Sequence, residues 1–162
     1  MTTRLHIEAK SGFLKAVLCP PALRVAQDLQ TMIVSQFPNA VPLPADKLHI
    51  TVCSFGSLKP HRPLAKAWIG REEELPQPPR PVLVKSAYLQ MVEDRWSWAC
   101  QLDDQARWHD WRMTLMVAMG IPLPIDEDRV FHLSLANKDG SPFSSVGPAF
   151  GPMTGIGLRV DI

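Results

Sequence analysis

Apolar positions along the chain follow two rhythms, alternation and a three-to-four-residue recurrence, the marks of strands and of one-sided helices. Gly12–Cys19 (GFLKAVLC) is short and apolar, which predicts a strand, and Pro20-Pro21 ends it and opens a helix. From Ala22 to Gln36, the residues Ala22, Val25, Ala26, Leu29, Met32 and Ile33 fall on one helical face, and Phe37-Pro38-Asn39 stops the run. Lys47–Phe55 (KLHITVCSF) predicts a second strand and residues 64–73 a short helix. Val82–Val92 and Arg95–Leu102 predict a hairpin turning at Glu93-Asp94. Asp103–Met119 predicts a second long helix with Trp108, Trp111, Leu115, Ala118 and Met119 on one side, closed by Gly120. Arg129–Asn137 (RVFHLSLAN) predicts a strand, Lys138–Pro152 a loop, and Ile156–Ile162 a last strand.

The pattern repeats. Val41-Pro42-Leu43-Pro44-Ala45-Asp46 leads into Leu48-His49-Ile50-Thr51-Val52, and Ile121-Pro122-Leu123-Pro124-Ile125-Asp126 leads into Phe131-His132-Leu133-Ser134-Leu135. The offset is 80 residues at the prolines and 83 at the histidines. Each copy follows a strand and then a helix. Between the copies lies Pro76-Gln77-Pro78-Pro79-Arg80-Pro81, an extended, semi-rigid connector. The expectation is a single α/β (α+β) domain over residues 1–162, built as two pseudo-symmetric lobes around a central cleft. Lobe one covers about 1–75, the connector 76–81 and lobe two 82–162, each lobe a mostly antiparallel sheet with a packing helix.

Composition narrows the function. With 46% hydrophobic and 20% charged residues among 162, the chain is an ordinary globular domain. A net charge of +1 removes the broad basic surface that long nucleic acids require, while a small anionic ligand needs only a local positive pocket. The three cysteines, Cys19, Cys53 and Cys100, have no paired spacing and read as reduced thiols. Met1–Lys10 carries Arg4, His6, Glu8 and Lys10 where a secretory leader would be apolar, and no apolar run approaches the ~18 residues of a membrane span. A cytoplasmic protein without membrane contact is expected.

In a strand, His49 and Thr51 share one face and Ile50 and Val52 the other; His132 and Ser134 are likewise opposed to Leu133 and Leu135. Each apolar set supplies a core face and leaves an imidazole and a hydroxyl on the other. Two His-x-Thr/Ser pairs facing one another across a cleft suit phosphodiester cleavage, in which one proton is removed and one delivered on opposite sides of phosphorus. Histidine does either near neutrality. The hydroxyls can hold non-bridging oxygens and stabilise the charge of the transition state. This chemistry requires no metal or other cofactor, and two histidines without a carboxylate or cysteine cluster are a poor zinc set. Fewer than one such pair is expected by chance among five histidines, and here two occupy the same place in a repeated unit.

Paired His-x-Thr/Ser motifs, one in each half of a small α/β protein, resemble the 2H phosphoesterase superfamily, which includes RNA 2′,3′-cyclic phosphodiesterases, RNA-end-processing enzymes and small phage proteins. The resemblance runs from Gly12 to the C-terminus. It implies that His49, Thr51, His132 and Ser134 are the catalytic set, Ser134 standing where threonine is commoner. Within the superfamily, Phe131–Gly147 (FHLSLANKDGSPFSSVG) looks most like the phage anti-CBASS nucleases. That implies a hydrolase of cyclic di- and trinucleotide signals such as cyclic GMP-AMP, acting in the host cytoplasm against abortive-infection immunity, with a small ribonucleotide as its partner. The rival readings are an RNA 2′,3′-cyclic phosphodiesterase or end-processing enzyme of the same superfamily, and a sponge that binds nucleotides without cutting them.

Three further side chains are candidates for substrate contact. Phe13 opens the first strand at the cleft rim, although a tyrosine is frequent near there in the family. Trp98 shares a strand face with Trp96 and Cys100, and would stack on a base if that face lines the cleft. Lys138, in the turn-forming run Asn137-Lys138-Asp139-Gly140, would contact phosphate. Trp108 and Trp111 have core spacing, and His6, His61 and His109 lack a hydroxyl partner and read as surface residues.

Overall fold

The N-terminal residues Thr3, Leu5 and Ile7 are buried and alternate with the exposed Arg4 and half-buried His6, a period-two pattern that makes a strand with one face on the core. The computed structural model describes residues 2–53, 58–92, 95–123, 129–140, 145–146 and 159–162. In chain order the strands and helices are β1 (Thr3–Ile7), β2 (Leu14–Leu18), α1 (Pro20–Gln36), β3 (Val41–Pro42), β4 (His49–Thr51), α2 (Arg62–Lys66), β5 (Val82–Val92), β6 (Arg95–Leu102), α3 (Gln105–Met119), β7 (His132–Asn137), β8 (Ser145–Val146) and β9 (Arg159–Asp161). The fold is α+β. All pairings are antiparallel, in one nine-stranded sheet whose main path runs β1-β2-β4-β7-β6-β5-β9, with β3 added to β7 and β8 to β6.

This order matters for function because β4 and β7, which carry the two motifs, are neighbours at the middle of the sheet. Strands from residues before the connector lie on one side of that junction, and strands from after it on the other.

Helix α1 starts at the two prolines, whose missing N–H groups cost nothing in a first turn, and ends where the Phe37 N–H donates to the Ile33 carbonyl. Its buried stripe is Ala22, Ala26, Leu29 and Ile33; Met32, placed on that stripe by spacing, is 45% exposed. Gln30 is buried in its stead. Its amide donates to the Leu43 and Leu135 carbonyls at 2.9 and 2.7 Å, satisfying two backbone acceptors where α1 crosses β3 and β7. Helix α3 is capped by the Asp104 carboxylate, which accepts from the Arg107 N–H, and stops at Gly120, whose φ of 75° favours glycine. It buries Trp108, Trp111, Arg112, Leu115, Met116 and Met119, while Ala118 faces outward. The predicted helix over 64–73 forms earlier, at Arg62–Lys66.

The connector is extended and packed along the edge of the sheet. The Gln77 side-chain oxygen Oε1 accepts from the Leu5 N–H, and the Pro76 carbonyl accepts from the Trp111 indole at 3.0 Å. Covering an edge strand in this way blocks pairing with another chain. The Glu93-Asp94 turn, the second Pro-Ile-Asp segment at 124–126 and all of 147–158 lie outside the described residues. Among the described residues, no helix is long and apolar enough to cross a membrane.

Candidate active site

Ile50 and Leu133 stand directly opposite one another across β4 and β7, and both are fully buried. The residues flanking them point to the other face. Carried one residue either way, this antiparallel register sets His49 across from Ser134 and Thr51 across from His132. Each imidazole therefore faces the hydroxyl of the other motif, and the two histidines occupy a diagonal, a spacing of about 7–8 Å between side-chain origins. The four predicted catalytic residues come together on one face, all half-buried.

The two rings are held alike. His49 Nδ1 lies 2.8 Å from the Lys47 carbonyl, and His132 Nδ1 lies 3.0 Å from the Val130 carbonyl, each two residues back along its own strand. A carbonyl can only accept, so Nδ1 carries the proton in both neutral rings and Nε2 is left to accept or deliver one. Burial pushes both imidazoles below the usual histidine range, partly offset by these carbonyls. His49 is lowered further by the charges of Lys15 and His132, and His132 by that of Arg129.

Neighbouring elements fix the motifs. Phe13 meets the His49 ring edge to face, with centroids 5.9 Å apart, so this predicted contact residue does reach the site. The Ser97 and Ser134 hydroxyl oxygens are 3.3 Å apart, joining β6 to β7. Behind the sheet, the Gln105 amide accepts from the Phe131 N–H at 2.7 Å and donates to its carbonyl at 2.9 Å, clamping the residue before His132. Arg112, only 6% exposed, donates to the Val52 carbonyl at 3.4 Å and lies over the Phe131 ring. One buried cation thus touches the residue after Thr51 and the residue before His132. It also reaches His109 Nδ1 at 3.2 Å, so His109 is tied to α3 and not a free surface residue.

Two predicted contacts are corrected. Trp98 is 0% exposed and packs against Phe37. It shares its face with Cys100, which pairs opposite the buried Leu133, so the register turns that face into the core and no base can stack there. The site face of β6 carries Ser97, Ala99 and Gln101 instead, with Gln101 opposite His132. Lys138 is exposed in a turn closed by the Asn137 side chain, which accepts from the Asp139 and Gly140 N–H groups. It lies six residues beyond His132, about 20 Å along an extended strand. A cation that does reach the site is Lys15, opposite Thr51. A lone lysine at an alternating position inside an apolar strand was the signal for it.

Cys100 is no nucleophile, because burial pushes its thiol up to about 12. Among the described residues, no three His, Cys, Asp or Glu side chains gather in a group able to hold a metal ion. No family model matches the chain, and no curated protein or solved structure matches it.

Proposed function

We propose that the chain is a metal-independent phosphodiesterase of the 2H type that cleaves the 3′–5′ bonds of small cyclic di- or trinucleotide signals, with its two halves acting as related lobes about the motif strands. The observation that carries this reading is the pair of imidazoles held by identical Nδ1 contacts, each offering Nε2 on one sheet face with a hydroxyl across from it. The small substrate is supported by the net charge of +1. The cyclic signal and a role in phage counter-defence against CBASS immunity rest on the likeness of Phe131–Gly147 to the anti-CBASS nucleases.

In this mechanism one neutral imidazole takes the proton of a ribose 2′-OH through Nε2. The 2′-oxygen attacks the adjacent phosphorus as the bond to the 5′-oxygen breaks, and the protonated imidazole gives its Nε2 proton to that leaving oxygen. The product is a 2′,3′-cyclic phosphate and a free 5′-OH. Water can then open the cyclic phosphate with the two histidines in exchanged roles. Thr51 and Ser134 donate to the non-bridging oxygens, where negative charge builds.

The test is chromatography of the products from a panel of cyclic di- and trinucleotides beside linear RNA ending in a 2′,3′-cyclic phosphate. Cleavage of the cyclic signals, undiminished by EDTA, is expected. A requirement for added Mg²⁺ or Mn²⁺, or intact cyclic nucleotide after long incubation, overturns the proposal.

A further inference from the structure

The polar face extends past the two motifs. Register sets His6 of β1 across from Lys15 of β2, Lys15 across from Thr51, and His132 across from Gln101 of β6. One line of side chains therefore crosses five strands, with Thr51 and His132 inside it. In the next line, Arg4 stands opposite Val17, and Val17 opposite His49. Adjacent strands are about 4.7–4.9 Å apart, so Lys15 is one strand from Thr51 and His6 is two.

Folding gives no reason for this grouping. The core faces of β1 and β2 are complete with Leu5, Ile7, Leu14 and Ala16, all essentially fully buried. Arg4, His6 and Lys15 gather on the opposite face, and among the described residues Lys15 forms no ion pair. Its charge is felt on both sides, lowering the proton affinity of His6 and of His49; Glu8 and Glu72 act on His6 in the other sense, and Glu8 on His49. Two cations, Lys15 one strand and Arg4 two strands from a site for one phosphodiester, with the His6 imidazole as a further hydrogen-bond donor, are placed to hold a second phosphate, separated from the first by a single ribose.

We propose that Lys15, with Arg4 and His6, forms a second anion subsite that takes the non-scissile phosphate of a substrate carrying two phosphates. This rests on the phosphodiesterase reading above and narrows it: the preferred substrate has a second phosphate close to the one attacked, as a cyclic dinucleotide does and a dinucleoside monophosphate does not. Lysine suits this as a mobile point charge on a flexible stem, able to follow a phosphate that moves as the bond breaks.

Calorimetric binding tests it with cyclic di-AMP and the dinucleoside monophosphate ApA, both measured on the His132→Ala protein to prevent turnover. ApA carries the same 3′–5′ linkage and 2′-OH but no second phosphate. Cyclic di-AMP is expected to bind about tenfold tighter or more, with the steeper salt dependence. Adding Lys15→Ala removes that preference, and Lys15→Arg retains it. Equal affinity for the two ligands, or a preference that survives Lys15→Ala, overturns the subsite. A preference that obeys Lys15 in a protein whose wild-type form cuts neither ligand leaves the subsite standing and removes the phosphodiesterase reading.

Discussion

The two motif strands carry the same chemistry in different surroundings. On β4 and on β7 a histidine holds its ring by Nδ1 to the carbonyl two residues back, and an opposed apolar residue pins the strand to the core. Around His49 stand an aromatic edge from Phe13, just before β2, and the ammonium of Lys15 in β2. Around His132 stand Gln101 from β6 and the charge of Arg129, and Ser97 meets the hydroxyl of its own motif, Ser134. The backbone behind His132 is clamped by Gln105, whereas Val52 behind Thr51 is reached by Arg112. Orientation of the rings is therefore common to both strands, and the side chains beside them are not. Shared orientation is what two proton transfers need, and different neighbours are what would let the two rings be tuned separately.

The largest effects should come from what the two strands share. His49→Ala and His132→Ala are each expected to lower turnover by about 10²–10⁴-fold with an unchanged circular dichroism spectrum. A near-normal rate in either variant breaks the equivalence of the motifs. Thr51→Ala and Ser134→Ala come next, at about 10²-fold in kcat for loss of one donor to the developing charge. Here the halves should part. Ser134 has Ser97 beside it, so Ser97→Ala should reproduce a fraction of the Ser134→Ala loss in kcat while leaving KM nearly unchanged. An unaltered kcat in Ser97→Ala would mean that the contact does not position Ser134.

What was legible in the sequence follows the same division. The motif strands could be read because each histidine and hydroxyl alternates with residues that must be buried, so local periodicity alone assigns the faces. The faces of other strands depended on register, which is not local. Trp98 could be paired with Cys100 on one face from the sequence, but only the pairing of Cys100 with Leu133 turns that face inward. Strand β1 went unseen because Arg4 and His6 interrupt its apolar residues, although Thr3, Leu5 and Ile7 alternate correctly. Gln30 took the buried place expected of Met32 because two carbonyls from distant strands needed a donor there. Such demands are invisible to a helical-periodicity count.

The separate cations beside the two rings can be told apart by titration. Both imidazoles are held below the usual histidine range, so the bell-shaped dependence of kcat/KM on pH should have its maximum below about 6.5. Lys15→Gln removes a positive neighbour of His49 and of His6. NMR titration should then show His49 and His6 rising toward the ordinary value while His132 moves less. Equal movement of His49 and His132 would mean that Lys15 does not distinguish the two halves.

The smallest expected effect is on stability, and its sign is fixed by the same depressions. His6, His49 and His132 all bind a proton less readily in the folded chain, with burial the largest cause in each case. As pH falls below about 6.5 the unfolded chain takes up protons that the folded chain resists, so stability falls with it. The contribution of these residues is fully present above the unfolded value and is lost as pH drops through the folded ones. Thermal melts between pH 7.5 and 5.5 should therefore show a declining Tm, each 1 kcal/mol lost lowering it by about 2–4 °C. His49→Asn should flatten the decline. Lys15→Gln should flatten it too, because it raises the folded value toward the unfolded one without removing an imidazole. A slope unchanged in Lys15→Gln would mean that Lys15 does not add to the depression of His49, leaving burial as its main cause.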